Sequence, residues 1–98
     1  MPTSIAAVPT EAPERYAKQL LAHLGRKNTV EPVDGVPEGG RLIFAYGVGV
    51  VRPEAGRLVL EATAADDESL ARVQDVVGRH LERFGARREL TVHWSTQE

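Results

Sequence analysis

Hydrophobic residues recur along this chain with two different periods, and each period indicates one kind of secondary structure. Residues 14–24 place four apolar side chains on one side at helical spacing, namely Ala17, Leu20, Leu21 and Leu24. Residues 67–84 carry a longer stripe at the same spacing, namely Leu70, Val73, Val77, Leu81 and Phe84. The pattern therefore predicts two amphipathic helices.

The residues that flank these two stripes predict where the helices begin and end. Thr10 is the predicted cap of the first helix, and Asp66 or Asp67 is the predicted cap of the second. Gly25 and Gly85 follow the two stripes directly, and glycine commonly ends a helix.

Alternation of apolar and polar residues predicts the strands, at residues 4–8, 28–33, 41–46, 57–64 and 90–94. Residues 34–40 have loop composition, and residues 52–56 form a predicted hairpin connection. Gly47-Val48-Gly49 is predicted to be a turn or a bulge, after which Val50 and Val51 resume a strand. It is not a nucleotide-binding loop, because the third glycine of that motif is missing and a strand follows.

The order of predicted elements is β-α-β-β-β-β-α-β, in a single α+β domain spanning residues 1–98. Two helices and one mostly antiparallel sheet predict a two-layer sandwich with both helices on one face of the sheet. The helices are assigned to the face that carries Leu42, Phe44, Leu58, Leu60, Leu90, Val92 and Trp94.

The opposite face of the predicted sheet keeps three large aliphatic residues, Ile43, Val51 and Val59. A solvated sheet face usually alternates to polar residues, so these three are a candidate interaction surface for a homodimer or a partner protein. A bulge at residues 47–49 would shift the register by one and exchange the two faces on the following strand.

Composition excludes several classes of protein. The 98 residues include 12 basic and 14 acidic side chains, a balance that does not favour nucleic-acid binding. There is no cysteine, which excludes disulfides, thiolate zinc sites and a cysteine nucleophile. The chain has no apolar run long enough to span a membrane and does not begin with a signal peptide. A cytoplasmic protein with no membrane partner is the expectation.

The second helix and its continuation also resemble a known family. The stretches LARVQDVVGRHLERF and RRELTVHW, together with GRLIFAYG at residues 40–47, resemble the bacterial domain-of-unknown-function family numbered 2218. The resemblance covers nearly the whole chain and implies a bacterial domain with no established activity. It also implies an association with siderophore-interacting flavin reductases, and hence with iron handling. The family often has a second histidine shortly after the one that matches His23, where this chain has Arg26.

The candidate metal ligands are His23, His80 and His93. No two of them have the i,i+4 spacing of a helical zinc site, so a metal site requires the fold to bring them together. The basic run Arg79, Arg83, Arg87 and Arg88 is typical of solvated charge at a helix C-terminus, with an anion contact as the alternative. Asp75 is predicted to pair with Arg79 along the helix, and Glu61 with Arg57 or Arg41 across the sheet.

No serine lies in a nucleophile motif and no carboxylate stands out as catalytic, so the sequence assigns no catalytic residue and no cofactor. The favoured hypothesis is a non-enzymatic accessory or interaction module linked to iron or siderophore handling. The alternative is a small-ligand or metal-dependent enzyme that uses His80 or His93.

Overall fold

In the computed structural model, which describes residues 2–86 and 90–97, the chain forms a six-stranded sheet and two helices. The elements are β1 (Thr3–Pro9), α1 (Pro13–Leu24), β2 (Thr29–Val33), β3 (Val36–Phe44), β4 (Gly47–Glu54), β5 (Arg57–Thr63), α2 (Asp67–Phe84) and β6 (Ser95–Gln97). The predicted α+β class and the predicted order of elements are confirmed.

The strands lie in the order β2-β3-β4-β5-β1-β6, and every neighbouring pair is antiparallel. The N-terminal strand β1 therefore lies between β5 and the C-terminal strand β6. Ser4 of β1 is fully buried, and its hydroxyl donates a hydrogen bond to the carbonyl oxygen of Ser95 at 3.1 Å. This bond helps to hold the two ends of the chain together at one edge of the sheet.

The hydrophobic core lies between the helices and one face of the sheet. The apolar sides of the helices are buried there, through Ala17, Leu20 and Leu24 of α1 and Leu70, Val73, Val77 and Leu81 of α2. The sheet contributes side chains from four strands, among them Val8, Leu42, Val51, Leu58 and Leu60. Fully burying an aliphatic side chain of this size stabilises a fold by ~1.5–3 kcal/mol, so this layer provides most of the driving force.

The helix caps differ from the prediction at one end. Asp66 caps α2, accepting a hydrogen bond from the backbone N–H of Ser69 at 2.8 Å. The predicted cap Thr10 is wrong, because α1 begins at Pro13 and its N-cap residue is Ala12. The Thr10 hydroxyl instead accepts a hydrogen bond from the N–H of Ala12 at 3.2 Å. The helix has no side-chain cap, and Pro13 has no N–H, so one of the donors that a cap would satisfy is absent.

Two predicted loops are shorter than their composition indicates. Residues 34–40 are not a loop, because β3 already begins at Val36 and the turn is Asp34-Gly35. Likewise β4 continues to Glu54, and the next turn is Ala55-Gly56. Gly35 and Gly56 have φ values of 76° and 75°, which glycine adopts at no steric cost. Each of these turns therefore needs only two residues.

The predicted turn or bulge at residues 47–49 is also wrong, because this segment is the regular beginning of β4. Gly49 pairs with Leu42 on one side and with Ala62 on the other. A Cβ atom at Gly47 would lie 2.7 Å from Val73 Cγ2, and one at Gly49 would lie 3.2 Å from Val77 Cγ2. Glycine is required at position 47 because α2 and the backbone of β5 approach closely, and not because the chain turns, whereas the approach at position 49 is less close.

The predicted strand at residues 90–94 is irregular, and β6 begins only at Ser95. Leu90, Val92 and Trp94 nevertheless pack against the core, as their alternation predicts. The backbone N–H of Val92 donates a hydrogen bond to the Glu82 carboxylate at 2.9 Å. This bond gives the N–H an acceptor in place of a neighbouring strand. None of the helices in residues 2–86 and 90–97 is long and apolar enough to cross a membrane.

Candidate functional site

The face of the sheet opposite the helices carries a row of aliphatic side chains, called here the open-face row. Its members are Ile5 of β1, Ile43 of β3, Val48 and Val50 of β4, and Val59 of β5. The register pairs Ile43 with Val48 and places Glu61 between Val50 and Ile5, so one charged side chain interrupts the row. Val59 is only 5% exposed, while the other four are half-buried.

The structure changes which residues belong to this surface. Ile43 and Val59 lie on it, as predicted. Val51 does not: it pairs with Leu60 and is fully buried in the core under the helices. Because β4 runs without interruption from Gly47, Val48 and Val50 lie on the open face instead. Strict alternation of side chains through Gly47 and Gly49 predicts this placement.

Ion pairs accompany the open-face row, and each joins an arginine to a glutamate. The pairs are Arg41–Glu31 at 3.7 Å, Arg52–Glu61 at 2.6 Å and Arg57–Glu54 at 2.7 Å. Their side chains lie on the same face as the row, because each residue either pairs across strands with a residue on that face or lies two positions from one along its own strand. The three arginines and three glutamates of these pairs together carry no net charge.

The sequence predicted that Glu61 pairs with Arg57 or Arg41, and this prediction is wrong. The partner of Glu61 is Arg52, which lies diagonally across β4 and β5. This pair is the most protected of the three, since its side chains are 33% and 30% exposed. Arg52 Nε is buried and has no hydrogen-bond acceptor among the described residues. An unsatisfied buried donor lowers stability, so this arginine stabilises the isolated domain less than its short contact with Glu61 indicates.

The fold brings together two of the three histidines. His23, near the end of α1, and His80, in the last part of α2, have ring centroids 5.0 Å apart, with their planes inclined at 42°. Phe84 lies edge-on to the His23 ring at 5.5 Å. His93 lies in the exposed irregular segment and has no ring contact with either.

No group of three histidine, cysteine, aspartate or glutamate side chains in residues 2–86 and 90–97 is arranged to hold a metal ion. The convergence of all three histidines therefore stays a prediction without a geometric counterpart in this part of the chain. The spacing along the sequence could not have indicated the pair, because 57 positions separate His23 from His80 (80 − 23).

The basic run lies beside the histidine pair on α2. Arg79 pairs with Asp75 at 3.2 Å, which confirms the predicted i,i+4 pair. Arg79, His80 and Arg83 line a shallow depression of about 150 Å³. Arg87 and Arg88, the other members of the predicted run, lie outside the described residues.

A further concavity lies at one end of the sheet, beside the turn at Gly35. It measures about 630 Å³, and its charged lining is Glu14, Glu38, Glu54 and Arg52. None of its lining residues is a serine, threonine, tyrosine or histidine, so it offers carboxylates but no hydroxyl or imidazole nucleophile. Arg57 and Arg52 already pair with glutamates at its edge.

Comparison with known proteins identifies the family. Residues 5–95 match the model of a family described as uncharacterised proteins conserved in bacteria, the domain of unknown function 2218. The chain belongs to this family. No curated protein matches it.

A solved structure supports the assignment of this chain to family 2218. The chain is similar to the NMR structure of PA4090 from Pseudomonas aeruginosa, with 30% sequence identity and a TM-score of 0.78. The match covers 97% of this chain and 96% of the other. The resemblance inferred from the second helix is therefore confirmed, and the family's description assigns no activity.

Proposed function

We propose that this domain is a non-enzymatic interaction module that pairs with a second copy of itself through the open face of its sheet. The observation that carries the proposal is the open-face row of aliphatic side chains, interspersed with ion pairs of zero total charge. No described element packs on this face, whereas both helices cover the other.

The balance of charge favours a second copy over a partner of one charge sign. In a two-fold dimer each patch meets a copy of itself, so a face with a large excess of one sign would repel its partner. Three arginines and three glutamates allow every positive group to face a negative one. The aliphatic side chains beside these ion pairs then provide the apolar contact.

The size of the face fits a small dimer interface. Six strands spaced ~4.8 Å apart, with about six residues per strand at ~3.3 Å each, span roughly 24 Å by 20 Å. That is on the order of 500 Å² of flat area before side-chain relief is added, and specific interfaces use about 600–1,000 Å² per partner. The proposal therefore requires most of the face.

Val50→Lys is the variant that tests this surface. Val50 is half-buried at the centre of β4, so lysine can extend to solvent in a monomer but would be desolvated in the dimer. Val59 is less suitable, because at 5% exposure a charged substitution would destabilise the monomer itself. Ala71→Lys, at an exposed position of α2, adds the same charge on the helical layer and is the matched control.

Light scattering coupled to size exclusion measures the outcome. The wild type and Ala71→Lys should have twice the 10.7 kDa mass of one chain, and Val50→Lys should have the monomer mass with an unchanged circular dichroism spectrum. A wild type that is monomeric at high micromolar concentration contradicts the proposal, as does a Val50→Lys dimer of undiminished affinity.

The link to iron or siderophore handling rests on the family resemblance, and it supplies the second arm of the experiment. A purified siderophore-interacting flavin reductase is titrated into the wild type and into Val50→Lys. If the wild type is monomeric and binds the reductase only when Val50 is intact, the open face serves that partner and the homodimer proposal is wrong.

A further inference from the structure

The histidine pair lies on the helical layer, away from the open face, and its function is independent of the proposed dimer. His23 is exposed and His80 is half-buried, so solvent reaches the pair. Each histidine comes from a different helix, and the two helices pack against each other. Their relative positions are thus fixed by the core and not by a flexible loop.

The hydrogen bond of His80 determines which of its nitrogens is free. His80 Nδ1 lies 2.6 Å from the carbonyl oxygen of Val76, one helical turn earlier. A carbonyl only accepts, so Nδ1 carries the proton and Nε2 keeps its lone pair in the neutral ring. In metal-binding histidines the N–H of the second ring nitrogen commonly donates a hydrogen bond to a backbone carbonyl in this way, which orients the ring and makes the other nitrogen a better ligand.

The separation of the ring centroids is compatible with both rings binding one ion. Transition metals bind imidazole nitrogen at ~2.0–2.1 Å, so each ring centroid lies roughly 3.2 Å from the ion. With a tetrahedral angle between the two ligands, the centroids are then about 5 Å apart, and the observed value is 5.0 Å. The edge of Phe84 against His23 restrains the second ring.

We propose that His23 and His80 together bind one divalent transition-metal ion of the zinc, nickel or copper class. Two imidazoles select these ions over calcium and magnesium, which prefer oxygen ligands. The protein provides two ligands and leaves the remaining coordination positions open to water or to an anionic co-ligand. Arg83, which shares a depression with His80, provides the positive charge that favours such an anion, whereas Arg79 already pairs with Asp75.

Titration of untagged protein with Cu²⁺, Ni²⁺ and Zn²⁺ by calorimetry tests the proposal. The expected result is one ion per chain with micromolar affinity, tightest for Cu²⁺, and no binding of Mg²⁺. His23→Ala and His80→Ala should each weaken binding at least about tenfold, since each removes half of the protein ligands. His93→Ala is the matched control and should bind like the wild type.

A spectroscopic readout separates the site from a structural effect. With only three histidines in the chain, Ni²⁺ should broaden the imidazole NMR signals of His23 and His80 and spare those of His93. His23 is exposed, so His23→Ala is expected to keep the fold even if His80→Ala does not. Val50→Lys should bind metal as the wild type does, whatever its oligomeric state.

The proposal is overturned if no stoichiometric ion binds, if His23→Ala binds as tightly as the wild type, or if the broadening by Ni²⁺ falls on His93 instead.

Discussion

Replacing Gly47 with alanine tests the close approach of α2 to the sheet. The new Cβ atom would lie 2.6 Å from the carbonyl oxygen of Thr63 and 2.7 Å from Val73 Cγ2. Carbon atoms in good contact are ~3.5–4.0 Å apart, so Val73 Cγ2 would have to move by roughly an ångström. One of those neighbours is backbone and cannot rotate away.

The cost follows from two opposing effects. Overpacking a core destabilises it by ~1–3 kcal/mol, and a clash with backbone belongs in the upper part of that range. Alanine is favoured over glycine within a strand by ~0.5–1 kcal/mol. The net loss for Gly47→Ala is therefore about 1–2 kcal/mol, which for a domain of this size lowers the Tm by roughly 4–16 °C.

Gly49→Ala is the matched control two residues along the same strand. Its Cβ atom would meet Val77 Cγ2 at 3.2 Å, a side-chain atom that can shift slightly, and no backbone atom is among its nearest neighbours. The two effects then nearly cancel, and its stability should be within about 0.5 kcal/mol of the wild type. Thermal melts followed by circular dichroism compare the variants.

Equal stability of Gly47→Ala and the wild type would show that α2 does not hold this position tightly, as would a larger loss for Gly49→Ala. A double-mutant cycle with Val73→Ala adds a second check. Because Val73→Ala removes one of the two clashing atoms, Gly47→Ala should cost less in that background.

Two further predictions concern the ends of α2. The N–H of Ser69 donates a hydrogen bond to Asp66 and lowers the pKa of that carboxyl below its ordinary value of 3.8. The charged cap therefore stabilises the fold at pH values above 3.8, and this stabilisation is lost as the pH falls through the lowered pKa. Asp66→Ala should therefore melt earlier than the wild type at neutral pH and lose this deficit in strong acid, whereas a deficit that is the same at every pH would contradict the assignment. Glu82→Ala should release the N–H of Val92 and cost about 1 kcal/mol, while Glu82→Gln keeps an acceptor and costs less. The single tryptophan, Trp94, reports this loss as a red shift in emission and easier quenching by acrylamide, and unchanged fluorescence in Glu82→Ala would show that the bond does not hold the segment.

Much of the fold could be predicted from the sequence because its signals are local. The stripes that begin at Ala17 and Leu70 repeat every three to four residues, and such a period identifies a helix and its buried side without reference to the rest of the chain. The alternation around Leu58 and Leu60 identifies β5 for the same reason. The order of elements, the two-layer class and the family follow from these segments.

What the sequence could not decide depends on residues distant along the chain. The glycines of β4 have the composition of a turn, and only the packing of α2 against them shows that they belong to a strand. Predicting a turn there assigns Val51 to the open face, although it is buried in the core, and omits Val48 and Val50 from that face. A strand has a side-chain period of two, so an error of a single residue exchanges the core face and the open face.

The candidate sites depend on tertiary structure even more strongly. His23 and His80 meet only because α1 and α2 pack side by side on the same sheet face, and Arg52 meets Glu61 only through the register of β4 and β5. Composition and periodicity determine which faces of the helices and strands are apolar. The distances between side chains on different elements arise only when those faces pack, and the chemistry proposed for this domain depends on those distances.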